Sequence, residues 1–386
     1  MTKKKAKPLE GIRVLDVGVI AVGPFAATML GYLGADVIRI ENREGDYVQR
    51  QYPLMKGMGY AYITCNCNKR NIMLDLRLDS DREIALKLVG KADVFICNSK
   101  TGVMDKIGMG YKDLFKINPK LIYCSCPGYG NKGPYKARGA ADPYIQAFSA
   151  FASLNGEPGT HGELFRVYGF LDQVASLMIC QSIMIALYYR ELTGQGQKIE
   201  TSLLEASIAL QATKISEFLI TGKSPMTIGS SSSRIAPSQS FRTLDGKFIN
   251  VSVPDDETWS RFCKALNISE LENDSRFCNN YKRLKNRDQL STILEKIFED
   301  QPARWWILSL NRQKIPCGPI NTYDEVSTDP HFLKTRMVID LVTPWGMVKL
   351  GGIPWEFSEF ELSIKKPSLP NQDKEEILKE SELSDE

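Results

Sequence analysis

Histidine is nearly missing from this chain: His161 and His331 are the two in 386 residues. His161 lies in the glycine-rich stretch "GTHGELF" and His331 in "TDPHFLKTR", so a general base of the histidine type is hard to supply. No G-x-S-x-G elbow occurs, which leaves serine–histidine acyl transfer without its parts. Phosphate-loop chemistry lacks its residues too. "GVIAVG", from Gly18 to Gly23, has G-x-x-x-x-G spacing, but Pro24 and Phe25 stand where a lysine and a hydroxyl residue are required. The same turn has no G-x-G-x-x-G, so Glu41, which ends the next predicted strand, is weak ground for a dinucleotide site. A helix start at Gly23 still offers free backbone N–H groups to an anion.

Charge of one sign is also scarce. The net charge of +3 is small and spread along the chain, so neither nucleic acid nor an acidic membrane surface is called for. The basic opening "MTKKKAKPLE" is followed by no apolar run and does not read as a secretory signal. The uncharged stretch between Asp172 and Arg190 is interrupted by Gln173, Ser176, Gln181 and Ser182. It falls short of the ~20 residues a membrane helix needs and reads as a core helix. Nine cysteines, an odd and scattered set, point to free thiols in a reducing cytoplasm. The pairs Cys65/Cys67 and Cys124/Cys126 depart from the C-x₂₋₄-C spacing of zinc sites, and "LIYCSC" reads as a buried strand, so no metal is expected.

With 43% hydrophobic and 25% charged residues, the chain has an ordinary globular balance and can bury a large core. Its N-terminal part alternates strand and helix. "IRVLDVG" and "ADVIRIE" flank the helix "PFAATMLGYLG", and "DVFIC" and "KLIYCSC" follow, each after a helical stretch. That alternation predicts an α/β fold with a doubly wound, mostly parallel, Rossmann-like sheet. The glycine- and serine-rich segment "TGKSPMTIGSSSSRIAPSQ" marks a boundary. Beyond it, "SFRTLDGKFINVSV" predicts two strands turning at Asp245-Gly246, followed by helices in "DETWSRFCKALN" and "RDQLSTILEKIFED". We therefore expect a large domain over 1–224, completed by about 331–386, and a smaller α+β domain over 225–330.

Seven cations collect near the predicted strand ends: Arg39, Lys69, Arg70, Arg77, Lys100, Lys106 and Arg138. An α/β sheet presents its ligand crevice there, and a polyphosphate ligand would need such a cluster. Asp172 opens the apolar helix. It reads either as an N-cap accepting a backbone N–H or as a poorly hydrated carboxylate, kept ionised by the helix dipole, that attacks an acyl carbon. The local sequence leaves both open.

Several stretches together resemble the family III CoA transferases. They include "LEGIRVLDVG", "GPFAATMLGYLGADVIRIEN", "NKRNIMLDLR", "ADVFICNSKTGVMDKIGMGYKDL", "NPKLIYCSCPGYGNKGPY", "ALYYRELTGQGQKIETSLLEA" and "IPCGPINTYDEVSTDP", in family order over nearly the whole chain. The resemblance makes Asp172 the nucleophile, which passes through a mixed anhydride and an aspartyl-CoA thioester. CoA would move from an acyl-CoA donor to a carboxylic acid acceptor, with CoA thioester as substrate and no resident cofactor. It implies CoA contacts at Ala21, Val22, Asn42, Leu74, Arg77, Asn98, Ser99, Lys100, Lys106 and Arg138. Arg77, Lys100, Lys106 and Arg138 would be the phosphate partners. It also implies a glycine-rich lid near Gly229, Ser230 and Ser231, and a homodimer of ring-shaped, interlocked chains, a heteromer being the other arrangement.

The chain departs from the family at three places. "GDYVQR" is one residue longer than usual, Ser176 stands where a glycine often follows the nucleophile, and serines fill "GSSSSR". The related 2-methylacyl-CoA racemases need a histidine where "GAAD" has Ala141. A CoA-binding, non-catalytic subunit of a heteromeric transferase is the further alternative. Phe165, Tyr168 and Phe170, just before Asp172, read equally as core packing or as a pocket for an apolar acid.

Overall fold

The computed structural model describes residues 6–51, 54–335 and 337–382. The chain divides into two compact units, one of Met1–Phe151, Leu164–Lys223 and Lys334–Glu386, the other of Ala152–Glu163 and Ser224–Leu333. Sequence reading placed residues 152–163 with the large domain. The structure puts them in the second unit, where the Gly229 amide donates to the Gly156 carbonyl and Thr227 Oγ1 to the Thr160 carbonyl.

The first unit is built on six parallel strands: β1 (Arg13–Asp16), β2 (Asp36–Glu41), β3 (Lys69–Met73), β4 (Val94–Cys97), β5 (Ile122–Ser125) and β6 (Gln197–Glu200). Their order is β3-β2-β1-β4-β5-β6. The order reverses between β1 and β4, and a doubly wound sheet opens its ligand crevice at such a reversal, beyond the carboxyl ends of those two strands. β1 and β4 run through the middle of the sheet with nearly every side chain buried, as strands covered on both faces require.

Helices α1 (Val22–Tyr32), α2 (Asp79–Gly90), α3 (Tyr111–Ile117), α4 (Asp142–Phe148), α5 (Phe170–Thr193) and α6 (Leu203–Leu210) cover this sheet. α5 is 24 residues long, longer than the uncharged run implied, and by length and composition alone would be able to cross a membrane. Leu171, Ala175, Ile179, Ile183 and Ala186 bury one face of it at helical spacing, in the same core as Ala26, Leu30 and Val94. The opposite face exposes Leu177, Ile185, Tyr188 and Leu192. The terminal helix α7 (Lys374–Glu382) docks through fully buried Ile377, and its Glu376 and Glu380 pair with Arg70. Residues 383–386 lie outside the described residues.

In the second unit, Ser238–Arg242 and Phe248–Ser252 form the expected antiparallel pair, joined across Thr243–Lys247 and extended by Cys317–Pro319. Trp259, Phe262, Phe298 and Trp306 pack its separate core.

Candidate active site

The loop after β1 is held in an unusual conformation. Ile20 has φ +65°, a left-handed value that is an outlier for a β-branched residue and costs about 1–3 kcal/mol. Three successive amides of the loop have their own acceptors: Gly18 N–H donates to Asp16 (2.9 Å), Val19 N–H to Asn98 (2.7 Å) and Ile20 N–H to Asp46 (3.0 Å). Behind it lies a buried ion cluster in which Arg39 pairs with Asp16 (3.3 Å) and Asp46 (2.7 Å), and Lys69 with Asp16 (2.9 Å). Burial alone would raise the Asp16 carboxyl, but Lys69 and Arg39 together outweigh it and hold it below its ordinary range. Gly18 and Gly23 are glycines for packing rather than for phosphate. A Cβ on Gly18 would stand 2.8 Å from Pro24 and 3.0 Å from the Gly23 Cα.

Three of the seven cations expected at a ligand site are therefore spent inside the protein. Arg39 and Lys69 belong to the buried cluster, and Arg70 pairs with Asp36, Glu376 and Glu380. Arg77 is exposed but already engages Asp75 through Nε and Nη2, both at 2.8 Å. Lys100, Lys106 and Arg138 are exposed, and the Arg138 guanidinium lies 5.7 Å from the ring centres of both Tyr129 and Tyr135.

A cavity of 650 Å³ opens at the sheet's reversal point, lined among others by Ala21, Val22, Asn98, Lys100, Arg138 and Asp172. A second, of 240 Å³, is lined by Asn42, Leu74 and Arg77, and Val19 and Ser99 border both. Of the residues tied to CoA by resemblance, only Lys106 lines neither, although Val103 and Ile107 beside it face the smaller one. Asn98 spends its amide on Val19, donating to that carbonyl as well as accepting from its N–H. Gly229, Ser230 and Ser231 belong to the second unit, where Ser230 Oγ accepts from the Ser240 amide and Ser231 Oγ donates to Gln239.

Asp172 is not the cap of its helix. Gly169, at φ +60°, occupies that position, and Asp172 is the third residue of α5. The free amides are capped from elsewhere: Asp142, at the start of α4, accepts from Leu171 N–H (2.5 Å) and Asp172 N–H (3.4 Å). Gln146, one turn on, donates to Asp142 Oδ1 at 2.5 Å. Asp142 thus takes the amides that would have favoured a charged Asp172. The Asp172 carboxylate has no hydrogen-bond or ion-pair partner among the described residues. Burial first, and the Asp142 charge second, raise it from 3.8 to about 7, so the expectation that the dipole keeps it ionised is corrected. Ser176, one turn further, donates to the carbonyls of Asp172 (2.7 Å) and Val22 (2.8 Å), tying the start of α5 to the start of α1.

Sequence reasoning examined "GAAD" for its missing histidine and passed over Asp142. The signal was there: an aspartate followed by Pro143 is a helix-start pattern, and its carboxylate serves a second helix as well. It also passed over "GYGNKG", Gly128 to Gly133, which has G-x-G-x-x-G spacing after β5 but leads into turns instead of a helix. Phe165 and Phe170 pack on each other, with ring centres 4.9 Å apart, and Phe170 stacks on Phe151 at 5.5 Å. Cys65 and Cys67 are buried, their thiols pushed up to about 12. Among the described residues no group of histidine, cysteine and carboxylate side chains could hold a metal ion.

Comparison with known proteins places this site in context. The chain is 32% identical over 375 residues to acetyl-CoA:oxalate CoA-transferase of Acetobacter aceti, covering 96% of this chain and 95% of that one. It is 32% identical over 382 residues to human succinyl-CoA:glutarate CoA-transferase, covering 97% and 86% respectively. The crystal structure of a CaiB/BaiF family protein from Brucella suis superposes with a TM-score of 0.88 at 34% identity, over 98% of this chain and 100% of that one. The family described as CoA-transferase family III matches residues 9–375. With that match along nearly its whole length, a six-stranded parallel sheet and a carboxylate in the crevice, the chain belongs to CoA-transferase family III.

Proposed function

We propose that the protein transfers CoA from an acyl-CoA donor to a carboxylic acid, with Asp172 as nucleophile. The observation that carries this reading is a partly buried carboxylate, without a cation partner among the described residues, in the cavity at the sheet's reversal point. Poor solvation makes its oxygen lone pairs available to a carbonyl carbon, and a value near 7 leaves about half of it ionised at neutral pH.

The Asp172 carboxylate attacks the thioester carbonyl, forms an acyl–aspartyl anhydride and expels CoA thiolate. The thiolate attacks the aspartyl carbonyl, releases the first acid and leaves an aspartyl-CoA thioester. The acceptor's carboxylate attacks that thioester, again giving an anhydride and CoA thiolate. Thiolate attack on the acceptor's acyl carbon then forms the new thioester and frees Asp172. No step consumes a net proton or electron. The thioester end of CoA occupies the larger cavity, and the rest of the molecule passes Val19 and Ser99 toward the smaller one. Lys100 and Arg138 meet its phosphates. The first-turn amides of α1, which have no acceptor within their helix, border the larger cavity at Ala21 and Val22, where charge develops on the carbonyl oxygen.

Racemisation gains nothing from the geometry. Ala141 carries no proton, and Asp142 already accepts from Leu171, Asp172 and Gln146. The exposed apolar face of α5 supports a dimeric assembly, in keeping with the interlocked arrangement.

The test is to incubate the chain with a panel of acyl-CoAs, quench in acid and weigh the peptide containing Asp172, with Asp172→Ala alongside. An acyl or CoA adduct on that peptide, absent from the variant, is expected. A chain that takes no adduct from any donor would overturn the assignment of Asp172 as nucleophile.

A further inference from the structure

Three cations line the larger cavity: Lys100, Arg138 and Arg166. The first two belong to one wall. A Cβ on Gly139, next to Arg138, would lie 3.1 Å from Lys100 Cε and 3.2 Å from its Nζ. Arg166 comes from a different segment, Leu164 to Gly169, which leads directly into Asp172. That segment is fixed on both sides of the arginine. Gln146 accepts from the Phe165 amide (2.8 Å) and donates to the Phe165 carbonyl (3.1 Å), and the Tyr168 hydroxyl donates to Gln51 (2.7 Å). Phe165 is further packed edge-on against Phe170. Between these anchors the Arg166 guanidinium makes no hydrogen bond or ion pair with any described residue. A pinned backbone carrying an unengaged planar fork is a ready receptor for a carboxylate.

Which carboxylate it receives follows from the chemistry. The group that reacts must give up its charge as it attacks the aspartyl carbonyl, and an arginine holding that charge would oppose the step. The carboxylate that suits Arg166 is one that does not react. We infer that Arg166 binds the second carboxylate of a dicarboxylic acid acceptor, so that the larger cavity selects diacids over monoacids. This rests on the transferase reading above. Phe165, Val167 and Tyr168 line the same cavity and offer an apolar wall to the carbon chain between the two carboxylates. An acid without a second carboxylate would forgo the ion pair that the exposed Arg166 guanidinium offers.

The experiment uses the full chain, with Asp172 first loaded from an acyl-CoA donor and then supplied with saturated dicarboxylates of two to five carbons or with monocarboxylates of matching length. Loading is read by peptide mass and transfer by the new acyl-CoA. Dicarboxylates are expected to react with kcat/KM at least about tenfold higher than monocarboxylates. Arg166→Gln should raise the dicarboxylate KM by about ten- to hundredfold, the range for a lost charged hydrogen-bond pair. Donor loading and monocarboxylate transfer should stay within about twofold, and Arg166→Lys should recover part of the loss. A loaded enzyme indifferent to the second carboxylate, or an Arg166→Gln variant that loses donor loading instead, overturns the assignment; the latter would make Arg166 a contact for CoA phosphate. Failure of any donor to load the wild-type chain overturns the transferase reading itself.

Discussion

Replacing the charge at Asp172 should stabilise the protein, and by an amount that grows with pH. The carboxyl rises from 3.8 to about 7 on folding. The folded state therefore holds this proton more tightly than the unfolded chain does. The stability it contributes is fully present below 3.8 and is lost as pH rises through about 7. A gap of roughly three units corresponds to about 4 kcal/mol at 1.36 kcal/mol per unit. Asp172→Asn keeps the shape and removes the titration. Its advantage over the wild-type chain should be small near pH 4, climb through pH 5 and 6, and level off at about 4 kcal/mol above pH 7. The amide would add a donor beside Asp142, which favours the variant further. Urea midpoints of both proteins at pH 4, 5, 6, 7 and 8 read this directly. A gap that does not change with pH, or a wild-type chain that is the more stable at pH 8, would refute the argument that Asp172 is a desolvated carboxylate. A variant sturdier than the wild-type chain is what a site built against its own solvation should show.

Two further outcomes follow from the same geometry. Asp142→Asn keeps an oxygen for the Leu171 amide but removes the like charge, so the acidic limb of kcat/KM against pH should move below about 7; an unmoved limb would leave burial as the sole cause. Gly169→Ala places a Cβ 3.1 Å from Asp172 Oδ2 at a φ of +60°, and should cost about 1–2 kcal/mol in stability while slowing transfer more than that loss explains, measured as thermal midpoint and kcat on one preparation.

Much of the fold was legible because its central strands are short apolar runs between helical patterns. β1, β2, β4 and β5 all fall inside stretches picked out by hydrophobicity. β3 and β6 did not show, for different reasons. β3 reads Lys-Arg-Asn-Ile-Met, and its charges are compatible with a strand only because Asp16, Asp36 and the α7 glutamates neutralise them from distant parts of the chain. β6, Gln-Lys-Ile-Glu, is an edge strand that alternates between half-buried and exposed positions, so little in its composition sets it apart from a loop. The site divides in the same way. Asp172 drew notice as a lone charge on an apolar helix, but its local sequence could not tell whether it caps that helix, because the carboxylate that does lies in Asp142, thirty residues earlier. Arg39 and Lys69 looked like ligand cations because sequence shows charge and hides the carboxylates buried against it. Arg166 was lost between two aromatics that drew attention as packing.

The ion cluster beneath Ile20 has a consequence for the thermodynamics of ligand capture. A loop that took up a left-handed isoleucine only on contact with CoA would spend part of each binding event on its own rearrangement. Here the Asp46 carboxylate, fixed by Arg39, holds Ile20 in that conformation through contacts within the protein itself. The strain is charged against folding, once, and not against each turnover. The loop should therefore keep this conformation when CoA binds, and association should proceed without a slow ordering phase. Weakening the cluster would show first as a slower and weaker encounter with CoA, ahead of any change in the transfer step.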